Sequence, residues 1–429
     1  MNQEIKVVPY RWVVLIAFML ITFVVEIQWL AHAAVARPAE VFYSGQFDPN
    51  SFLNIDFLAM IYMLVYLIMS IPASYMIDTY GIRVGIGIGT VIAGAAGLLK
   101  AVMASSFLGV VVAQTGFAIA QPFILNAVTA VSVRWFSLHE RGLAAGLAVL
   151  AQYLGIIVAM LVTPVLIVTD PELPGYGSGF VNMLWTYGIL TLMAALVALV
   201  LIKERPPTAP SGEKFIRQNF SDGLRHILKQ RDMQITLVLF LIGLGIFNAI
   251  SSMTDSIAEN LGVKDSDGLI GGLMLIGGVF GAIIMPVLSD RFRMRKRFLV
   301  ICMIGAVPGI FGLTFTHYFL ESTSLTYGIA LGSSCVLGFF VMSAGPIGFQ
   351  YAAEVSHPAP ESTSQGLLLW VGQITGLLFV GGMSIRQNIF LNGFMITFFF
   401  LSLISVVGVL LIRESPMMKK DQTNIKKIR

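Results

Sequence analysis

Apolar residues in this chain come in long uninterrupted blocks, longer than a soluble core requires. A helix needs ~20 such residues to cross the hydrocarbon core of a bilayer. On that measure the pattern predicts helices at 12–36, 55–77, 84–104, 107–133, 142–168, 180–203, 234–257, 267–289, 298–316, 324–346, 362–385 and 388–412. Short polar or Gly/Pro-containing loops separate most of them. One connection is long: it runs from Glu204 to Arg231, is rich in charge and holds Pro206, Pro207 and Pro210. The expected organisation is a six-helix bundle over 1–203, a cytoplasmic linker over 204–232, and a second six-helix bundle with a basic cytoplasmic tail over 233–429. Lys6 and Arg11 precede the first block, and Ala31-His32-Ala33 has the look of a cleavage site. The run from Trp12 to about Leu30 is nevertheless longer than a signal h-region of roughly 7–15 residues, and it contains Glu26, so it is read as the first membrane helix.

Composition strengthens this picture. The 429 residues are 56 % hydrophobic and 12 % charged, against about 25 % charged in soluble domains. No water-soluble surface can be made from such a chain. Its two cysteines, Cys302 and Cys335, lie far apart in apolar runs and read as small buried hydrophobes. Lysine and arginine placement predicts the orientation. The face that holds the N-terminus carries 23 basic residues, counting the tails, Arg83, Arg134, Arg141, the central connection and the run Arg291, Arg293, Arg295, Lys296, Arg297. The other face carries three, Arg37, Lys264 and Arg386. Both termini are therefore expected in the cytoplasm of a multi-pass protein of the cell (plasma or inner) membrane. Lys100, near a helix end, is expected to snorkel outward. The basic central loop and C-tail point to membrane lipids rather than nucleic acid as partners. Asn219-Phe220-Ser221 matches a glycosylation acceptor, but on this topology it stays inside and unmodified.

Two loops repeat. The second-to-third loop has Pro72, Asp78, Gly81 and Arg83; the eighth-to-ninth has Pro286, Asp290, Arg291, Arg293 and Arg295. Each places a proline near a helix end, then an aspartate, then an arginine. An aspartate there can meet the positive N-terminus of a neighbouring helix, a contact worth ~0.3–1 kcal/mol or more if partly buried. Such a contact would latch the inside. The loops resemble the signature loop of the major facilitator superfamily, although Thr79 and Tyr80 interrupt the first copy and the second lacks the glycine after Asp290-Arg291. The resemblance implies an all-α integral membrane protein of twelve transmembrane helices in two pseudo-symmetric six-helix bundles, the major facilitator fold. The glycines at 85, 87, 89, 271, 272, 277, 278 and 281 lie inside apolar helices and follow no strand, so they read as helix-packing positions rather than a nucleotide-binding loop.

Ionisable and amide side chains at bilayer depth are expensive and are functional candidates by default. Glu26 sits mid-way along the first helix, and Trp29, three residues on, shares its face. A carboxylate beside an indole suits an organic cation, through charge and a cation–π contact. Glu26 can instead carry a coupling proton, and Trp29 can instead be an interfacial anchor. Gln121 and Asn126 lie in the fourth helix and Gln152 and Tyr153 in the fifth. Asn248, Ser252 and Asp255 follow helical spacing in the seventh, and Trp370 and Gln373 share a face of the eleventh. His32, His139, His226, His317 and His357 are scattered in loops or helix ends, with no metal-ligand pair. No serine–base or Cys–His arrangement is evident, so an enzyme is the weaker class and no cofactor is expected.

Several stretches are similar to the feline leukaemia virus subgroup C receptor family of haem and choline transporters. They are Gln28-Trp29, residues 55–64, 120–125 and 148–150, and the run from Gly348 to Glu354 through Pro358 to residues 366–368 and Gln373. The resemblance implies a choline-sized cation held by a first-helix Trp, a fifth-helix Gln, a seventh-helix Tyr and an eleventh-helix Gln. Trp29 and Gln373 match; the fifth-helix position falls on Tyr153 beside Gln152, the seventh near Asn248, and Glu26 is an addition. The resulting expectation is a monomeric secondary transporter of a small organic solute, an amine such as choline or a vitamin-like compound. It would work by alternating access around Glu26, Trp29, Gln121, Gln152, Tyr153, Asn248, Trp370 and Gln373. Asp78, Arg83, Asp290, Arg291 and Glu354 are expected to form inner-gate ion pairs with basic neighbours such as Arg134 and Arg141. Alternatives are a haem or porphyrin carrier, a proton-coupled carrier of another metabolite, a membrane-embedded enzyme, and a receptor that moves nothing. Haem is the larger fit, and no histidine pair stands ready to ligate it.

Overall fold

The computed structural model describes residues 8–47, 53, 55, 57–170, 172–208, 220–263, 265, 268–319, 323–383 and 390–418. Lys6, Asp56, Lys214, Arg217, Asn219, Lys264, Arg386 and the basic tail from Lys419 to Arg429 lie outside them, as does the side chain of Asp255. Among the described residues, 12 helical spans are long and apolar enough to cross a membrane. They are, first to sixth, Tyr10–Phe42, Phe57–Tyr80, Ile82–Val102, Phe107–Trp135, Arg141–Leu166 and Phe180–Leu201. Seventh to twelfth, they are Arg231–Ser252, Leu269–Phe292, Arg295–Phe319, Thr323–Ser356, Glu361–Met383 and Leu391–Met418. Large apolar side chains stand outward along them, with Val165 81 %, Phe319 72 % and Ile68 72 % exposed. In water such side chains would destabilise the fold; in lipid they need no cover.

The elements follow the hydropathy blocks closely, with a few informative differences. The first span is interrupted: helix Tyr10–Leu30 ends, a single tight turn Ala33–Val35 follows, and helix Ala36–Phe42 resumes. The seventh span ends at Ser252, and a separate short helix, Thr254–Asn260, follows where continuous helix was expected. The tenth runs on to Ser356, past the expected end at position 346. Prolines at 72, 122, 164, 286, 308 and 346 all lie inside helices. Membrane helices tolerate this because neighbouring groups take up the freed backbone partners. The fourth span shows that compensation. It breaks after Pro122 into Phe107–Leu125 and Val128–Trp135. At the break, the Asn126 amide donates to Ser70 O, Ser70 Oγ and Ser74 Oγ at 3.0–3.1 Å, and its oxygen accepts the Tyr66 hydroxyl.

The chain divides into two compact units, Met1–Phe136 with Ala148–Glu213, and Ser137–Leu147 with Lys214–Arg429. Each repeats the same packing scheme. In the first, the second and third spans pack on the fourth and the third on the sixth; in the second, the eighth and ninth pack on the tenth and the ninth on the twelfth. The glycines read as packing positions have that role where the spans touch. A Cβ at Gly89 would meet Phe123 Cβ at 2.7 Å, one at Gly85 would overlap Ile77, and those at Gly277, Gly278 and Gly281 would overlap Cys335, Met342 and Phe339. Gly272, by contrast, has open space. Cys302 is buried and Cys335 half-buried, and both are free thiols.

Substituting Gly281 by Leu should therefore push the eighth and tenth spans apart and lower stability by about 1–3 kcal/mol or more. Gly272→Ala should be close to neutral. Thermal unfolding of the purified protein in detergent compares the two.

Candidate functional site

The first unit contains a buried carboxylate with an incomplete set of partners. Glu26 is 0 % exposed. Gln121 Nε2 of the fourth span donates to its Oε1 at 3.1 Å, and Gln152 of the fifth lies beside the same carboxyl. The phenols of Tyr62 and Tyr66 on the second span, and of Tyr153 on the fifth, stand within its electrostatic reach. Its second oxygen, Oε2, has no hydrogen-bond partner, and no ion pair to Glu26 forms among the described residues. The fifth span comes this close because position 155 is glycine: a Cβ there would sit 2.9 Å from Glu26 Cβ and overlap the Phe23 carbonyl.

Trp29, one turn further on, is half-buried. Its Nε1 donates to Ala59 O of the second span at 3.1 Å, and its ring lies 6.0 Å from that of Tyr62 with an interplanar angle of 32°. The indole N–H is thus engaged inside the unit and not with a headgroup. The Tyr62 hydroxyl, buried, has no partner. Glu26, Trp29, Gln121, Gln152 and Tyr153 therefore come together as expected, with Tyr62 and Tyr66 as additional members. A signal for these two existed in the sequence. Tyr62, Tyr66, Ser70, Ser74 and Asp78 recur at intervals of four along the second span, a polar stripe on one helical face, and all five are buried.

The second unit has its own amide pair. Asn248 packs against Gly376, where a Cβ would come 2.8 Å from Asn248 Nδ2, and Gln373 lies one turn before that glycine. Asn248 Nδ2 and Gln373 Oε1 are both buried and without hydrogen-bond partners. Trp370 is half-buried on the same span, and Ser252 is exposed.

Some charged groups at the span ends have partners that the sequence did not suggest. Arg134 pairs with Glu204, a residue the sequence did not single out. Glu204 Oε2 also accepts from the Arg83 backbone N–H at 3.0 Å, while the Arg83 side chain is exposed. Gly81 has φ +102°, and a Cβ there would overlap the Glu204 carboxylate. Asp290 and Glu354 have a common partner within the second unit. Both share Arg295, which is 0 % exposed: its Nη1 donates to Asp290 Oδ1, and its Nε and Nη2 donate to Glu354 Oε1 at 3.2 and 3.0 Å. Arg293 explains the geometry. It adopts a left-handed conformation (φ 57°) that ends the eighth span and turns the start of the ninth back onto Asp290. The other Asp290 oxygen accepts from Leu143 N–H at 2.9 Å, at the N-terminus of the fifth span. That is the expected aspartate-to-helix contact, found at the second copy of the loop. Asp78 is buried, Arg141 is buried with Nη1 4.0 Å from Met417 Sδ, and Arg291 is exposed.

Lys100 also departs from expectation. It does not snorkel: it is 0 % exposed, with Nζ held by oxygens of Gln28 and Gln114. Among the described residues, no group of three or more His, Cys, Asp or Glu side chains is placed to hold a metal ion.

Comparison with known proteins agrees with this architecture. The model of the Major Facilitator Superfamily matches residues 12–380. The chain belongs to that superfamily. Relatives of this superfamily member include an uncharacterized MFS-type transporter of Caenorhabditis elegans, 30 % identical over 387 residues, which cover 87 % of this chain and 64 % of the relative. The choline/ethanolamine transporter FLVCR1 of Felis catus is 29 % identical over 86 % of this chain and 66 % of its own length. Solute carrier family 49 member A3 of Xenopus tropicalis is 28 % identical over 86 % and 76 %. The chain thus spans just under two thirds of the first two relatives. Among solved structures, the transporter FucP in the outward conformation gives a TM-score of 0.71 at 14 % identity, covering 94 % of this chain and 99 % of FucP. The proton:xylose symporter XylE gives 0.71 at 12 % identity, covering 94 % and 96 %. At these identities the likeness is one of fold. The chain is a multi-pass transporter-family protein and not an enzyme.

Replacing Arg295 by Met leaves Asp290 and Glu354 buried without their cation. The expected loss is about 3–5 kcal/mol, the range for breaking a buried pair from one side. It should be read as a large fall in thermal stability. Arg291→Met, at an exposed position, should leave stability within roughly 0.5 kcal/mol of the parent.

Proposed function

We propose that this protein is a secondary transporter of a small organic cation, an amine of the size of choline or ethanolamine, moved by alternating access. The observation that carries the reading is the Glu26 carboxylate: buried, without a counter-ion among the described residues, and with one oxygen unpartnered. A bare carboxylate in a low-dielectric interior is costly unless it gains a proton or a cation. The Trp29 and Tyr62 rings beside it supply π-faces that attract an ammonium group by about 0.5–2 kcal/mol each. The name of the feline relative, a choline/ethanolamine transporter, supports the same ligand class. Gln121, Gln152 and Tyr153 would orient the ligand, and Asn248, Trp370 and Gln373 are the candidates in the second unit.

Burial of Glu26 implies that the ligand reaches it only after a rearrangement. We assign the Asp290–Arg295–Glu354 cluster, with its contact to Leu143, to holding one state, because only contacts that differ between states bias an equilibrium. Both termini are assigned to the cytoplasm on the asymmetry of 23 basic residues to three. A coupled proton on Glu26 is the second reading, favoured by the same unpartnered oxygen.

Proteoliposomes should take up choline or ethanolamine, and Glu26→Gln and Trp29→Ala should each weaken binding of the better amine at least tenfold by calorimetry. Tyr62→Phe should lower affinity while leaving thermal stability nearly unchanged, since its hydroxyl has no partner to lose. If neither Glu26→Gln nor Trp29→Ala alters binding, the cation site is wrong. Under the second reading, a pH gradient should drive uptake in the parent protein and not in Glu26→Gln; uptake indifferent to the gradient removes it.

A further inference from the structure

The helix that carries Glu26 and Trp29 stops immediately after them. Its last backbone bond runs from Ala31 N–H to Ile27 O, so the carbonyls of Gln28 and Trp29 lie at an open helix C-terminus inside the unit. Two side chains take them. Lys100 Nζ, from the third span, donates to Gln28 O at 3.2 Å, Gln28 Oε1 at 3.1 Å and Gln114 Oε1 at 2.6 Å, three oxygens for the three protons of an ammonium. Gln114 Nε2, from the fourth span, donates to Gln28 O at 3.2 Å, Trp29 O at 3.3 Å and Leu58 O at 3.0 Å. Gln28 Nε2 is tied in turn to Thr191 Oγ1 of the sixth span at 3.2 Å. No carboxylate reaches Lys100 among the described residues; its charge faces the negative end of the broken helix and, at 5.7 Å, the Phe117 ring.

We propose that Lys100 and Gln114 are positioning residues for ligand binding: they cap the interrupted first helix and so fix the backbone from which Trp29 meets the ligand, without touching the ligand themselves. A lysine fully inside a membrane protein with no acidic partner is costly, and ordinary packing would be served by an apolar residue. The arrangement instead puts the cation where the third and fourth spans meet the carbonyls of residues 28 and 29. Trp29 is then held at both ends, by Gln114 at its carbonyl and by Ala59 at its indole. The proposal rests on the reading of Trp29 as a ligand contact.

The test uses two variants of the full chain. Lys100→Met removes the cap. Gln114→Glu preserves shape and an acceptor for Lys100 but removes the donors to Trp29 O and Leu58 O, and it serves if Lys100→Met fails to fold. Choline and ethanolamine affinity is measured by calorimetry. The position of Trp29 is read separately, by acrylamide quenching in a background in which Trp12, Trp135, Trp185 and Trp370 are replaced by Phe. The expected result is about a tenfold loss of affinity together with at least a twofold rise in Trp29 quenching. Unchanged quenching, with only a lower unfolding temperature, marks a purely structural role and overturns the proposal. Raised quenching with unchanged affinity also overturns it if Trp29→Ala weakens binding. If Trp29→Ala has no effect either, the cation-site reading is what fails, and the quenching still reports on the cap.

Discussion

In a bilayer there is no water to satisfy a stray polar group, so every buried donor and acceptor must be met by the protein itself or by what it binds. This constraint sorts the interior of the molecule. The apolar blocks face outward, and the few hydrophilic side chains turn in and find one another. Lys100, Gln28 and Gln114 close a knot in which each proton of the amino group meets an oxygen. Arg295 serves two acids at once. Not every buried group is met: both ring nitrogens of His32, Thr90 Oγ1, both side-chain polar atoms of Gln350 and Glu354 Oε2 are without hydrogen-bond partners. Glu26 Oε2 and the Tyr62 hydroxyl in the first unit, and Asn248 Nδ2 and Gln373 Oε1 in the second, are buried and unmet. Of these four, the atoms of Glu26, Asn248 and Gln373 belong to residues that the sequence offers as ligand candidates.

The two acidic centres use the same chemistry for different ends. Asp290 and Glu354 share one guanidinium, and Asp290 also accepts a backbone N–H, an arrangement that holds both acids against a fixed cation. Glu26 has amides and phenols around it and no fixed cation, an arrangement that leaves its charge to be answered from outside. Removing a partner from the first should cost stability, while altering the second should change affinity. The distinction is a physical one between a buried ion pair and a buried vacancy for a charge.

Much of this was legible in the chain itself. Span lengths and the six-plus-six layout follow from the hydropathy blocks, because the bilayer imposes a length and leaves little freedom; the superfamily came from the resemblance of the repeated Pro–Asp–Arg loop to its signature. That Glu26 and Trp29 share a face was legible from their spacing of three on a helix. Partners across space were not. Arg295 reaches Asp290 only because Arg293 bends backward, and nothing in the identity of a non-glycine residue announces a positive φ. Lys100 was misread because its place near a span end suits both snorkelling and inward capping. What decides is the break in the first helix at Ala31, and the apolar pattern runs across that break without a mark. Glu204 was overlooked as one charge among many in a connecting loop.

The bend in the fourth span has a mechanical corollary. A proline-containing helix that breaks in mid-membrane would ordinarily be a hinge, free to flex on its own. Here Asn126 sits at the break and is tied to Tyr66, Ser70 and Ser74 over more than two turns of the second span. Bending there would have to strip several bonds from a dry interior at the same moment, so the two helices should travel as a single stiff strut, and any flexing within the first unit is displaced to joints that lack such a tie.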